Sequence, residues 1–95
     1  MEQDFLDEMI EESTKRNPEF LALMEEAHQR RSLLADLAAI RSRSRISQRT
    51  IAKRIKTSQP AIARLEAGSV DPRLSTLQRY AASIGKRVEW KLVDL

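Results

Sequence analysis

The sequence predicts an all-α fold: a bundle of about five helices, with a helical N-terminal extension and one short C-terminal β-strand. Three observations carry this expectation. Apolar residues recur at helical spacing through most of the chain. Helix-capping residues punctuate it at short intervals: Asn17, Ser47, Ser58 and Ser75. With two glycines and three prolines in 95 residues, turn formers are too scarce for a protein of many strands. The length suits one domain with a modest core. The expected organisation is an acidic helical extension over residues 1–30, a main domain over 31–86 and a tail over 87–95.

Phe5, Leu6, Met9 and Ile10 repeat at helical spacing and predict an amphipathic helix over 4–13. Glu8 and Glu12 lie one turn apart, as do Asp7 and Glu11, and these like charges weaken the helix in isolation. It therefore needs a partner surface, and its apolar residues, with Phe20 and Met24 beyond, are candidates for partner or dimer contacts. Asn17-Pro18-Glu19 is a strong helix start: a cap, a proline where its missing N–H costs nothing, and an acid at the positive helix end. Phe20, Leu21, Met24, Ala27, Leu33, Leu34, Leu37 and Ile40 then form a stripe over 18–43. It reads equally as one long helix or as two.

Ser47 caps a short helix over 48–55, and Ser58 caps another over 59–67 that Gly68 stops. Asp71-Pro72 marks a loop. Ser75-Thr76-Leu77-Gln78 reads as a capping box that starts a helix running to Ile84, ended by Gly85. Val88, Trp90 and Leu92 alternate with Arg87, Glu89 and Lys91, which predicts one half-buried strand. A lone strand cannot satisfy its edge groups, so these three residues would have to pair with another chain or form only an extended tail.

Charge and composition exclude several classes. Residues 1–30 hold nine acids against three bases, and the rest holds five acids against fourteen bases. The modest net +3 thus hides an acidic arm joined to a basic domain, and a basic domain attracts nucleic acid. The absence of cysteine excludes disulfides and thiolate zinc sites. No apolar run approaches the roughly 20 residues of a membrane span, and the acidic start is unlike a secretory signal. A cytoplasmic protein is expected. His28 has no companions at metal-ligand spacing, so no metal or cofactor is expected. Ser47, Ser58 and Ser75 have no base to activate them, and the adjacent acids Glu11-Glu12 and Glu25-Glu26 diverge on a helix, so an enzyme is not expected.

The segment 47–68, SQRTIAKRIKTSQPAIARLEAG, carries the chemistry. Two short helices meet across a tight turn. Ile51 and Ile55 share one face of the first, Ile62 and Leu65 one face of the second, and Ala52 lets the axes approach. The second helix is pushed outward and would expose Ser58, Gln59, Ala61 and Arg64, with Pro60 in its first turn. That is what the DNA major groove requires. Gln bonds adenine bidentately, Arg does so to guanine, and Ala or Pro meets a thymine methyl. Gln48 stands at a helix start suited to phosphate. Arg43, Arg45, Arg49, Lys53 and Lys56 surround the unit with positive charge. One short helix reads few base pairs, so a homodimer reading two half-sites of double-stranded DNA is expected.

The frame Leu37-x-x-Ile40-Arg41, Ile46-Ser47-Gln48, Ile51-Ala52, Ile55, Ser58-Gln59-Pro60-x-Ile62, Leu65-Glu66-x-Gly68 resembles the helix-turn-helix class of phage Cro and cI repressors and small bacterial regulators. The resemblance runs without a gap across 37–68 and implies a lambda-repressor-like domain. It implies that Gln48 grips phosphate, that Gln59 and Arg64 face base edges, and that Arg41 and Glu66 form an internal ion pair. Two positions depart from the pattern. Lys56 and Arg45 stand where the class often has glycine, and a left-handed non-glycine residue costs about 1 kcal/mol. The run from Asp71 to Ala82, with Gly85 and the segment 88–93, is similar to HigA-type antitoxins, as is a helical extension ahead of the domain. That narrower resemblance implies repression of a shared operon and a RelE/HigB-like ribonuclease toxin as partner, which an acidic arm would suit. A free-standing Cro/cI-like regulator remains the alternative.

Overall fold

A computed structural model of the chain describes residues 18–94. The predicted helix over 4–13, with Phe5, Leu6, Met9 and Ile10, lies outside the described residues. Four helices follow: α1 (Pro18–Arg43), α2 (Gln48–Arg54), α3 (Gln59–Glu66) and α4 (Leu74–Ser83). The stripe over 18–43 is thus one continuous helix of 26 residues, in keeping with a stretch free of glycine and of internal proline. The chain divides into two compact units, one ending at Gln29 and the other spanning Arg30–Asp94. In the first, Phe20 is half-buried and Leu21, Leu23 and Met24 are exposed.

The second unit holds the core. Leu34 and Leu37 of α1 meet Ile51, Ala52 and Ile55 of the α2 segment, Ile62 and Leu65 of α3, and Leu77, Tyr80 and Ala81 of α4. Leu33, Ile46, Ile84 and Val88 pack around them. Ile51, Tyr80 and Ala81 are fully covered. Burying a side chain of this size contributes about 1.5–3 kcal/mol, and these few residues supply most of what orders a domain this small.

All four helices stop in the same way. The residue two past each helix end is left-handed: Arg45 (φ 58°), Lys56 (57°), Gly68 (73°) and Gly85 (74°). Each stop makes the paired hydrogen bonds of a Schellman motif. Thr57 N–H donates to Ala52 O at 2.8 Å and Lys56 N–H to Lys53 O at 3.3 Å, and the pairs at Ile46, Ser69 and Lys86 match them. Only two of the four positions carry glycine. The hydrogen bonds and the core contacts on either side hold Arg45 and Lys56 in a conformation that disfavours them.

Two expectations need correction. α4 begins at Leu74, with Arg73 at the cap and no side-chain cap bond, so Ser75 lies inside the first turn and does not cap it. Pro72 and the loop before it bring the chain into helical geometry two residues early. The predicted strand is absent: residues 86–94 have no regular structure. Val88 is half-buried against the core, Trp90 is 47% exposed and Leu92 fully so. Alternation alone cannot make a strand where the described chain offers no second one to pair with.

A polar clamp ties all four of these helices. Arg41 Nε donates to Glu66 Oε2 at 2.7 Å, and its Nη2 donates to Oε1 at 2.9 Å. Its Nη1 also holds Ile46 O at 2.8 Å, closing the α1–α2 turn. Tyr80 Oη donates to Glu66 Oε2 at 2.5 Å, and Gln48 Nε2 to Oε1 at 2.9 Å. Burial opposes charge on Glu66, whose side chain is 8% exposed, but the bonds from Arg41, Tyr80 and Gln48 outweigh it and hold the carboxyl below the usual glutamate range. Burial, then the bond to the carboxylate, pushes the Tyr80 phenol far above its ordinary range. The bond to Glu66 raises Arg41 further.

Two predictions follow from this geometry. Lys53→Gly, inside α2, should cost about 1 kcal/mol in urea denaturation, whereas Lys56→Gly should be neutral or stabilising by up to about 1 kcal/mol. Equal losses would show that Lys56 carries no strain. Glu66 has a depressed folded pKa, so its stabilisation is complete above the ordinary glutamate range and is lost as pH falls through the lower folded value. Denaturation followed from neutral to acid pH should show Glu66→Gln roughly 2 kcal/mol less stable at neutrality, with a shallower acid decline. Parallel curves would remove Glu66 from the acid response.

Candidate nucleic-acid interface

Two helix starts form the candidate surface. Ser47 Oγ accepts the N–H of Thr50 at 3.0 Å, and Ser58 Oγ accepts that of Ala61 at 3.2 Å. Pro60 lies within the first turn of α3, where its fixed φ suits the helix. The left-handed Lys56 turns the chain within the four residues between α2 and α3, and both helices pack on the same core. The caps fix where each helix begins and therefore where Gln48 and Gln59 project.

Those two amides meet. Gln59 Nε2 donates to Gln48 Oε1 at 2.7 Å, and Gln48 in turn donates to Glu66. A continuous chain of hydrogen bonds thus runs from the clamp beneath the helices to the first residue of α3. Gln59 and Ala61, expected to be exposed, are half-buried. The bond to Gln48 draws Gln59 down. Ala61 lines a shallow apolar groove with Ile55, Thr57, Val70 and Pro72. Ser58, Pro60 and Arg64 are exposed, as are Arg43, Arg49, Lys53 and Lys56.

Three residues outside the expected set belong to this description. Tyr80 supplies a buried hydroxyl to Glu66. A buried tyrosine needs a partner for its hydroxyl, and its place on the apolar face of α4 was the available signal. Arg54 and Arg79 join Lys56 around an open groove between the ends of α2 and α4, and Arg54 donates to Ser83 O at 2.6 Å. The groove has cations and no acid in its lining, which extends the positive surface past α2. An exposed basic surface beside two helix N-termini can bind phosphates, and the fixed amides with Arg64 can address base edges.

Comparison with known proteins agrees with this geometry. The helix-turn-helix family profile matches residues 37–91. The chain is 38% identical over 79 residues to antitoxin HigA1 of Mycobacterium tuberculosis strain CDC 1551 / Oshkosh, and equally to antitoxin HigA1 of strain ATCC 25618 / H37Rv. The match covers 83% of this chain and 53% of each relative, so the chain spans about half the length of the curated proteins it matches. No solved structure matches it significantly. No helix among the described residues is long and apolar enough to cross a membrane. With two capped helices joined by a tight turn, and with a family match over more than half its length, the chain belongs to the helix-turn-helix family and within it is HigA-like.

Proposed function

We propose that the protein is a sequence-specific transcriptional repressor that binds double-stranded operator DNA as a homodimer and serves as the antitoxin of a toxin–antitoxin pair. The observation that carries the DNA reading is the joined pair Gln48–Gln59 at two capped helix starts, ringed by exposed cations. In this reading Gln59 and Arg64 contact base edges, and Ser58, Pro60 and Ala61 line the same approach. Gln48, Arg43, Arg49, Lys53 and Lys56 hold phosphates. Arg41 and Glu66 are structural. The protein acts in the cytoplasm and catalyses nothing.

The antitoxin reading rests on the similarity to the HigA1 antitoxins and on the charge division. Residues 1–30 carry nine of the fourteen acids, and a RelE/HigB-like ribonuclease is a basic partner that such an arm would neutralise. Phe5, Leu6, Met9, Ile10, Phe20 and Met24 would supply the apolar side of that contact. Val88, Trp90 and Leu92 would order as a strand only against another chain, the toxin or the twin subunit.

Gln59→Ala and Arg64→Ala should each lower discrimination between operator and random duplex by about 1–3 kcal/mol in fluorescence anisotropy. Lys53→Ala should weaken both alike and flatten the salt slope by about one. Equal losses on both duplexes from the α3 variants would sink the base-reading assignment. Co-expression of tagged protein with the neighbouring reading frames tests the partner. A small basic protein in stoichiometric yield, toxic when expressed alone, is the expected result. A homodimer with no companion would make it a free-standing Cro/cI-like regulator.

A further inference from the structure

Glu66 is a carboxylate, and a carboxylate only accepts hydrogen bonds. That fact sets the direction of every bond above it. Gln48 must turn its NH2 toward Glu66, as it does at 2.9 Å, and so must show its carbonyl to Gln59. Gln59 must then turn its own NH2 toward Gln48, as it does at 2.7 Å. One N–H and the carbonyl Oε1 of Gln59 remain for a ligand. Adenine presents one acceptor and one donor in the major groove, N7 and N6–H, and matches this remainder. Guanine presents two acceptors, N7 and O6. To meet them Gln59 would have to offer both N–H groups and set its carbonyl against that of Gln48. Gln48 could accommodate this only by turning its carbonyl onto the Glu66 carboxylate. Each flip is opposed by the next, down to a charge fixed by Arg41 and Tyr80.

We infer that Glu66, whose side chain is 8% exposed and joins Gln59 through Gln48, is a specificity-determining positioning residue that makes Gln59 select adenine and reject guanine. The inference rests on α3 being the base-reading helix. A role in stability alone would weaken binding to all sequences together and leave the adenine-to-guanine ratio unchanged, so the ratio is the readout.

A duplex selected from a random library by the full-length protein would first be bound by Gln59→Ala, which identifies the base pair that Gln59 reads as the one whose preference is lost. Affinities for duplexes with A·T or G·C at that pair would then be compared. The wild-type protein should prefer adenine by at least about tenfold, the range of a bidentate contact. Glu66→Gln, whose amide can donate as well as accept, should bring the ratio within about threefold. Gln48→Ala breaks the chain while leaving the Arg41 and Tyr80 bonds to Glu66 in place, and should do the same even if Glu66→Gln fails to fold. Guanine preferred by the wild type, or an unchanged ratio in folded Gln48→Ala, would overturn the inference while leaving α3 as the reader. A Gln59→Ala variant that alters no base preference would instead overturn the reading of α3, and the inference with it.

Discussion

Glu66 stands at the last turn of α3 with an arginine fork, a tyrosine hydroxyl and a glutamine amide all donating to its two oxygens. Those donors come from three other helices, so one carboxylate fixes α1, α2, α3 and α4 at a common point. Its side chain is 8% exposed, and a charge so nearly removed from water is tolerable only when its lone pairs are filled. Losing one donor would leave a half-satisfied charge beneath the surface, which costs more than that single bond contributed. The apolar core brings the helices together without direction. The clamp selects one arrangement among the many that would bury the same side chains.

The short helices make such a device necessary. α2 has seven residues and α3 eight, well below the length at which an isolated helix is stable in water. Each persists because its first turn is capped by a serine, its last turn is closed by a left-handed residue, and one face is buried. Arg45 and Lys56 show which of these constraints prevails locally. Both adopt a backbone that glycine would adopt more readily, and the Schellman hydrogen bonds of the preceding helix keep them there. The turn between α2 and α3 is thereby held tight, and Gln59 lies within 2.7 Å of Gln48.

What could be read from the sequence is what local chemistry decides. The Ser47 and Ser58 caps, the stop at Gly68 and the buried faces of α2 and α3 follow from residue type and spacing. The partnership of Arg41 with Glu66 came from family resemblance, since no spacing rule joins residues 25 apart. The misses came where tertiary context outweighs pattern. Ser75 satisfies a capping pattern, but the chain leaving Pro72 is already helical at Leu74. Val88, Trp90 and Leu92 alternate as a strand does, but pairing needs a second strand that no pattern in this chain provides. Gln59 is expected in solvent because the second helix of the pair is pushed outward. Its half-burial depends on Gln48, Glu66 and Tyr80, which converge only once the helices have packed.

On the proposed reading, the surface that results divides two tasks between two kinds of side chain. Arg43, Arg49, Lys53, Lys56 and Arg64 are exposed and long, and in the proposed reading each would give up rotamer freedom to hold a phosphate or a base. They suit attraction at a distance, where charge matters more than placement. Gln59 is short, half-buried and already bonded, so little of its freedom remains to be lost. An amide ordered before the ligand arrives discriminates through the direction of its donor and acceptor. Such discrimination survives only while that direction cannot reverse. In this protein the direction is anchored beneath α3, at a carboxylate that can accept protons in hydrogen bonds but has none to give.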